Sequence, residues 1–406
     1  MLTARLHTCC VRLPKHPGRL FTRVSGKKWS SSGHAHRQLW CPPARGFTFR
    51  YGTALQRSFC SSATAASPRS VVFLGSPEVA AEVLKHLTSY AKSEENCSYE
   101  ISAVVTQPWA ARGRSRKPKP SFVEEAAVQC GIPDERIFCP ASAKDAGFLE
   151  SLAALKPDLC VTAAYGNILP QAFLDIPTFG TLNIHPSLLP KFRGAAPVQR
   201  ALQEGAEESG VSLAFTVRTM DAGPIVAQEV VNMSRYQDAD EALQSLFQIG
   251  AQMLVQHMPR IWSGAAAAEA RPQDESQATS APKLRKEDAV LDFTKAAHAL
   301  ANQIRAFSSW PGSRASFTTR EPDDAASEPF DLKITRAAVY QGSTQSISLS
   351  GQPGCICRTP AKEILVRCGE ASVLQLLTVQ PASRRPMPAS AYLNGLSATA
   401  QLVWSQ

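Results

Sequence analysis

The chain has no glycine-rich nucleotide signature. G-x-G-x-x-G is missing after its first strand-like run, where the sequence reads GSPEVA, and neither GxxxxGK[ST] nor G-x-S-x-G occurs. Dinucleotide enzymes of the fingerprint type, phosphate-loop NTPases and elbow-type serine hydrolases are thereby excluded. No apolar run reaches the length of a membrane-spanning helix, so no membrane partner is expected. Of 11 cysteines, four (Cys9, Cys10, Cys41, Cys60) lie near the start and the other seven are scattered. They form no CxxC pair, and no histidine accompanies Cys355, Cys357 and Cys368. Reduced thiols are the reading, with no metal site.

Acidic residues are missing from the first 70 positions, which hold 12 Lys and Arg; the first acid is Glu78. Taking those 12 from the chain's 43 basic residues leaves 31 against 34 acidic ones, so the formal charge of +9 belongs to the leader. A long Arg- and Ser-rich, acid-free start without a continuous apolar core has the composition of an organelle transit peptide. A basic arm that binds nucleic acid is the competing reading. Residues 1–68 are assigned to transit, into the mitochondrial matrix, with the plastid as the other destination.

What remains alternates short apolar runs with helical patterns. Val71–Gly75, ISAVVT, PDLCVTAAYG and TLNIH read as strands; SFVEEAAVQCG, closed by Gly131, and Lys144 to Leu155 read as helices. This is the pattern of an α/β fold with a doubly wound, mostly parallel sheet. VSLAFTVRTMDAGPIVAQEVV reads as a hairpin and Ala239–Met258 as a long helix, so the first domain spans about 70–262. Residues 263–282 have the composition of a linker. A helix over Thr294–Phe307 and short strands in FDLKITRAAVY, QSISL, GCICRT, EILVRC and SVLQLLTV then suggest a C-terminal β-barrel over 283–400. Residues 71–282 carry 17 basic and 24 acidic side chains, residues 283–406 carry 14 and 10. The barrel is the more basic part, a hint of a polyanionic partner.

In open parallel sheets, ligands bind outside the carboxyl ends of the strands. Gly75, Thr106, Tyr165–Gly166 and Asn183–His185 all fall there. Beyond the leader only four histidines remain, and His86, His257 and His298 sit in helical patterns. His185 stands alone at a strand end, two positions after Asn183 and therefore on the same face. A structural histidine satisfied by hydrogen bonds is an equal reading of that spacing. The functional reading is an amide donor beside an imidazole, suited to a carbonyl that becomes an oxyanion while a proton moves. Asp221 in RTMDAGPI is first of all a turn residue, and it could also orient or charge-stabilise His185.

The stretch NIHPSLLPKFRGAAPVQRAL, followed by MDAGPI, resembles the formyltransferases that use 10-formyltetrahydrofolate. With AYGNILP before it and RAFSSWPGS after the linker, it is similar to the methionyl-tRNA branch of that family over about residues 70–395. The resemblance implies a Rossmann-like formyltransferase domain and an OB-like barrel that binds tRNA. It implies that Asn183 donates to the formyl oxygen, that His185 manages the proton of the attacking amine, and that Asp221 tunes His185. Ser187, Leu188, Leu189 and Pro190 match the folate-contacting segment, and Tyr165, Gly166, Ile168 and Leu169 would wall the pterin pocket. The implied acceptor is the α-amino group of methionine on its initiator tRNA, which would attack the formyl carbon directly, without a covalent enzyme intermediate.

The loop WAARGRSRKPKP has five basic residues between 112 and 119. A basic loop is most often only solvated. The resemblance makes it the tRNA acceptor-end contact, with Arg114 at the key position and Arg112, Arg116 and Lys117 beside it. The sequence departs from bacterial relatives at Trp109, usually Asp, and at Ser115, usually Gly, so Arg112 or Arg116 could take the role of Arg114. EPDDAASEP reads as an acidic loop insertion held off the RNA. A monomer is expected. Formyl transfer to a nucleotide-type or sugar amine, a folate deformylase or dehydrogenase, and a non-catalytic tRNA-binding protein are the alternatives; the intact Asn183, His185 and Asp221 argue against the last.

Overall fold

The run Val71–Leu74 is apolar at every position because both of its faces are buried. A computed structural model describes residues 67–93, 97–111, 117–320, 328–342, 352–394 and 401–405. Residues 1–66 of the leader, Arg112, Arg114, Arg116, QSISL and most of the acidic loop lie outside the described residues.

The first domain begins with β1 (Arg69–Gly75), α1 (Glu78–Ser93) and β2 (Tyr99–Val105). A two-stranded ribbon follows, β3 (Ala110–Ala111) and β4 (Pro118–Lys119), then α2 (Phe122–Gln129), β5 (Ile137–Phe138) and α3 (Ala146–Ala154). Next come β6 (Leu159–Ala163), α4 (Gln171–Leu174), β7 (Thr181–His185), α5 (Pro197–Glu204), β8 (Glu208–Phe215), β9 (Ile225–Asn232) and α6 (Ala239–Trp262). The main sheet has the order β5-β2-β1-β6-β7-β8-β9. Its first five strands are parallel, and β8 and β9 extend it as an antiparallel hairpin. Val71 and Phe73 pack with α1, α2 and α6 on one face; Val72 and Leu74 pack with Phe148 and Leu152 of α3 on the other. The sheet is thus wound on both sides, as the alternation of strands and helices requires.

Local signals set the helix ends. Ser121 caps α2 by accepting from the N–H of Glu124, and Asp145 caps α3 by accepting from that of Phe148. The helix expected over Ala239–Met258 runs one further turn to Trp262, because Pro259 sits where only the last turn is affected. Gly250 lets α6 close onto β7: a methyl carbon placed there would lie 2.3 Å from Cγ2 of Ile184 and 3.0 Å from Cγ2 of Val211. Gly250→Val should therefore cost about 3 kcal/mol through overpacking. Thermal unfolding checks this; an unchanged midpoint would mean that the helix can slide off the strand at no cost.

The connection 263–282 carries structure that its composition does not announce. It contains α7 (Ala265–Glu269), and Ser280 forms a bridge with Arg193. Beyond it, α8 (Ala297–Ala306) packs against a barrel built from β10 (Ser313–Arg320), β11 (Phe330–Val339), β12 (Ile356–Arg358), β13 (Ile364–Arg367), β14 (Val373–Pro381), β15 (Met387–Pro388) and β16 (Gln401–Ser405). A short helix, α9 (Ala389–Leu393), precedes β16. The antiparallel order is β12-β13-β14-β11-β10-β16, and a bridge from Cys355 to Val403 brings the two ends together. Helices α5 and α8 meet around Val198, Leu202 and Phe307, joining the two domains. Among the described residues no helix is long and apolar enough to cross a membrane.

Candidate active site

Strand β7 lies between β6 and β8 and ends at the carboxyl edge of the parallel strands. Ile184 points into the core with α6, so Asn183 and His185 share the opposite face. Oδ1 of Asn183 accepts from the hydroxyl of Thr162 on β6 at 2.8 Å. Its Nδ2 donates to Oδ1 of Asp221 at 3.3 Å. Thr162 thereby fixes which end of the amide faces the site. Thr162→Val keeps the shape and removes the donor. It should lower turnover about tenfold, the equivalent of about 1.4 kcal/mol, with a stability loss of about 1 kcal/mol from the unmatched Asn183 oxygen. Steady-state kinetics beside a melting curve would show it; full turnover would mean that Asn183 needs no second holder.

His185 is buried, and its Nε2 lies 3.0 Å from the carbonyl oxygen of Phe192. A carbonyl only accepts, so Nε2 carries the proton and the neutral ring keeps its lone pair on Nδ1. Nδ1 faces Oδ1 of Asp221 at 3.7 Å, beyond hydrogen-bond reach. Asp221 sits in the β8–β9 turn with φ +50, in the left-handed region. Its Oδ2 accepts from the backbone N–H of Gly194 at 2.9 Å. Gly223 makes the turn possible, since a Cβ there would lie 1.7 Å from the carbonyl oxygen of Phe215. The three expected residues are thus brought together: a fixed amide, a ring with one proton-accepting nitrogen, and a carboxylate touching both.

The segment 187–194 arches beside them. Ser187 is fully buried and its hydroxyl donates to the carbonyl of Lys191 at 2.7 Å. The N–H of Leu189 donates to Oγ of Ser212 at 3.0 Å, and Gln228 donates to both Oγ of Ser212 and the carbonyl of Leu189 at 2.9 Å. The side chain of Leu189 packs on Ala214 and Ile225 beneath the loop, Leu188 lies against Gly210, and Pro190 follows a cis bond. Ser187 and Leu189 thus shape the loop from inside rather than lining open space. Across the sheet edge, Ala164 (φ +48) and Gly166 (φ +82) turn the chain back. Gln107 donates to the carbonyl of Tyr165 at 3.0 Å, tying this loop to the end of β2. Tyr165 and Leu169 are buried while Ile168 is 69% exposed. The hydroxyl of Tyr165 and Nδ2 of Asn167 are both buried.

Lys117 is exposed at the β3–β4 ribbon, and Trp109 at its root is 58% exposed with its indole N–H on Glu124 at 2.9 Å. Burial makes two of the thiols poor nucleophiles, pushing Cys139 up to about 11 and Cys368 up to about 12. Among the described residues no cluster of His, Cys, Asp and Glu could hold a metal ion.

Several supports escape sequence reading. Thr162 is a lone polar residue in the run LCVTA, at the register position opposite Asn183. The carbonyl of Phe192 and the N–H of Gly194 are backbone groups without a residue signature. Gln273 and Glu275 sit in the segment read as linker, yet bind Arg193 beside the site. The only signal for them is the short polar run PQDE within Ala- and Ser-rich chain.

Residues 69–258 match the family model described as formyl transferase, and residues 283–397 that described as formyl transferase, C-terminal domain. Methionyl-tRNA formyltransferase of Chloroflexus aurantiacus is 39% identical over 329 residues, covering 81% of this chain and 97% of that protein. The protein of the same name from Nitrosococcus oceani is 37% identical over 338 residues, 83% of this chain and 96% of its own. Staphylococcus epidermidis has one at 32% over 326 residues, 80% and 96%. Among solved structures, the N-formyltransferase from Helicobacter canadensis, in complex with folinic acid and dTDP-3-aminofucose, aligns with TM-score 0.52 at 15% identity, covering 76% of this chain and 98% of that one. The sugar 3N-formyl transferase WlaRD aligns with TM-score 0.53 at 14%, over 78% and 99%. At those identities the structures show a shared fold.

Proposed function

The chain belongs to the formyl transferase family, and on that footing we propose that it is a methionyl-tRNA formyltransferase. It moves the formyl group of 10-formyltetrahydrofolate to the α-amino group of methionine on initiator tRNA. The observation that carries this reading is the meeting of Asn183, His185 and Asp221 at the sheet edge, in a chain that also matches the family's C-terminal domain.

The fit to a folate rests on the loop after β6. A pterin offers polar edges and a flat apolar face. Exposed Ile168 supplies an apolar surface for that face. 10-Formyltetrahydrofolate brings a carbonyl carbon ready for acyl transfer. As the amine nitrogen bonds to that carbon, the carbonyl π pair moves onto oxygen. The second N–H of Asn183 is free of Asp221 and donates to this oxyanion. Nδ1 of His185 takes the proton from the amine, and Asp221 stabilises the imidazolium. The oxyanion then collapses, the carbon–N10 bond breaks, and His185 returns the proton to the departing nitrogen.

The RNA falls to the β-barrel, where basic residues outnumber acidic ones, and to Arg112, Arg114, Arg116 and Lys117, whose charges suit phosphates. The acid-free leader supports delivery to an organelle, the mitochondrion before the plastid. The test follows labelled formyl from 10-formyltetrahydrofolate in the presence of methionyl-tRNA, uncharged tRNA or free methionine. Label on methionyl-tRNA alone supports the reading. Release of formate without transfer would make the protein a folate hydrolase.

A further inference from the structure

The segment joining the two domains crosses directly over the catalytic turn, and we infer that Gln273 within it is a positioning residue for Asp221 and His185. The inference rests on the formyl-transfer reading above.

The side-chain amide of Gln273 uses its whole hydrogen-bonding capacity. Nε2 donates to the carbonyls of Asp221 and Gly223, both at 2.7 Å. Oε1 accepts from Nε and Nη2 of Arg193 at 3.0 and 2.7 Å. The carbonyls only accept and the guanidinium only donates, so the amide has one orientation here. Arg193 is held from outside by Glu275 through two bonds of 2.8 Å, and that hydrogen-bonded carboxylate raises the affinity of the guanidinium for its proton.

These contacts join two separate pieces of chain. One is the turn 221–223, where Asp221 adopts a disfavoured left-handed backbone (φ +50). The other is the loop 192–194, whose Phe192 carbonyl fixes the ring of His185 and whose Gly194 N–H holds Oδ2 of Asp221. Gln273 sits between them and sets their separation, and with it the 3.7 Å gap between Nδ1 of His185 and Oδ1 of Asp221. Backbone bonds secure the strap further on: Arg193 N–H donates to the carbonyl of Thr279, and Phe192 N–H to the hydroxyl of Thr279, both at 2.8 Å. Glutamate has no donor for the two carbonyls, methionine has neither group, and asparagine is one methylene short. The requirement is for glutamine itself.

The test compares the full chain with Gln273→Met, Asp221→Asn and the double variant. Glu269→Gln is the control, at a surface pair with Arg260. Gln273→Met is expected to lower kcat by about 10–100-fold, with KM for folate and methionyl-tRNA little changed, as a displaced reacting group demands. The double variant should lose clearly less than the product of the two single losses, because Gln273 acts through Asp221 as well as through His185. Gln273→Glu, which keeps the acceptor for Arg193, serves as a second variant if the methionine form unfolds, with the same loss expected. Turnover near wild type, or losses that multiply in the double variant, would overturn the inference. If the wild-type chain transfers no formyl group, the functional reading fails instead. The ring-nitrogen NMR shifts of His185 then decide the positioning claim: moved by Gln273→Met they support it, unmoved they overturn it.

Discussion

Asn183→Ala is expected to slow formyl transfer by about 10²–10³-fold while methionyl-tRNA binds as before, the magnitude typical of a lost oxyanion donor. The amide is held at both ends. Thr162 occupies its oxygen and Asp221 takes one of its N–H groups, so the remaining N–H is aimed before any substrate arrives. A donor fixed in advance stabilises developing negative charge without reorganising, and its removal falls on kcat rather than on KM. The truncation also leaves the Thr162 hydroxyl and one contact of Asp221 unmatched, a cost of about 1 kcal/mol each in stability. Kinetics must therefore be read beside a melting curve and an equilibrium tRNA titration. Retained turnover in a folded variant would remove Asn183 from the role given to it.

His185→Gln should cost about 10²–10⁴ in kcat, the usual contribution of a positioned acid–base group. Glutamine is the informative replacement because its side-chain amide can still donate to the Phe192 carbonyl that tethers Nε2. The variant keeps the tether and the fold and loses the nitrogen that accepts a proton. Nδ1 is that nitrogen: with Nε2–H fixed on a carbonyl, the neutral ring has one lone pair, directed toward Asp221. The gap of 3.7 Å between them exceeds a hydrogen bond and leaves the proton acceptor unspent. A glutamine variant that folds and turns over normally would mean that the amine loses its proton to solvent or to Asp221.

Much of the first domain could be read because its strands are buried on both faces and so appear as unbroken apolar runs, as in Val71–Leu74 and Leu159–Ala163. The pairing of Asn183 with His185 followed from the period of two along β7. In the barrel, β10 and β16 escaped notice. β10 has Ala315 and Phe317 as its apolar residues, among polar ones that include buried Ser313, and β16 is a short strand at the chain's end. The supports of the site were the least legible part. Thr162 matters only because parallel register sets it opposite Asn183, and Gln273 only because its segment folds back across some 50 residues of sequence to Asp221 and Gly223. Composition describes such a segment as linker, because it is Ala, Ser, Gln, Pro and charge with no periodicity. Its order comes from hydrogen bonds to backbone groups that have no sequence of their own.

A rapid-quench single turnover with labelled formyl donor tests the central claim most directly. Asn183, His185 and Asp221 are assigned to charge stabilisation and proton transfer, so the amine of the acceptor attacks the formyl carbon itself. Label should leave the folate and reach methionyl-tRNA with one rate constant, with none on the precipitated protein. Label appearing first on the protein would contradict direct transfer and point to covalent catalysis by a side-chain nucleophile.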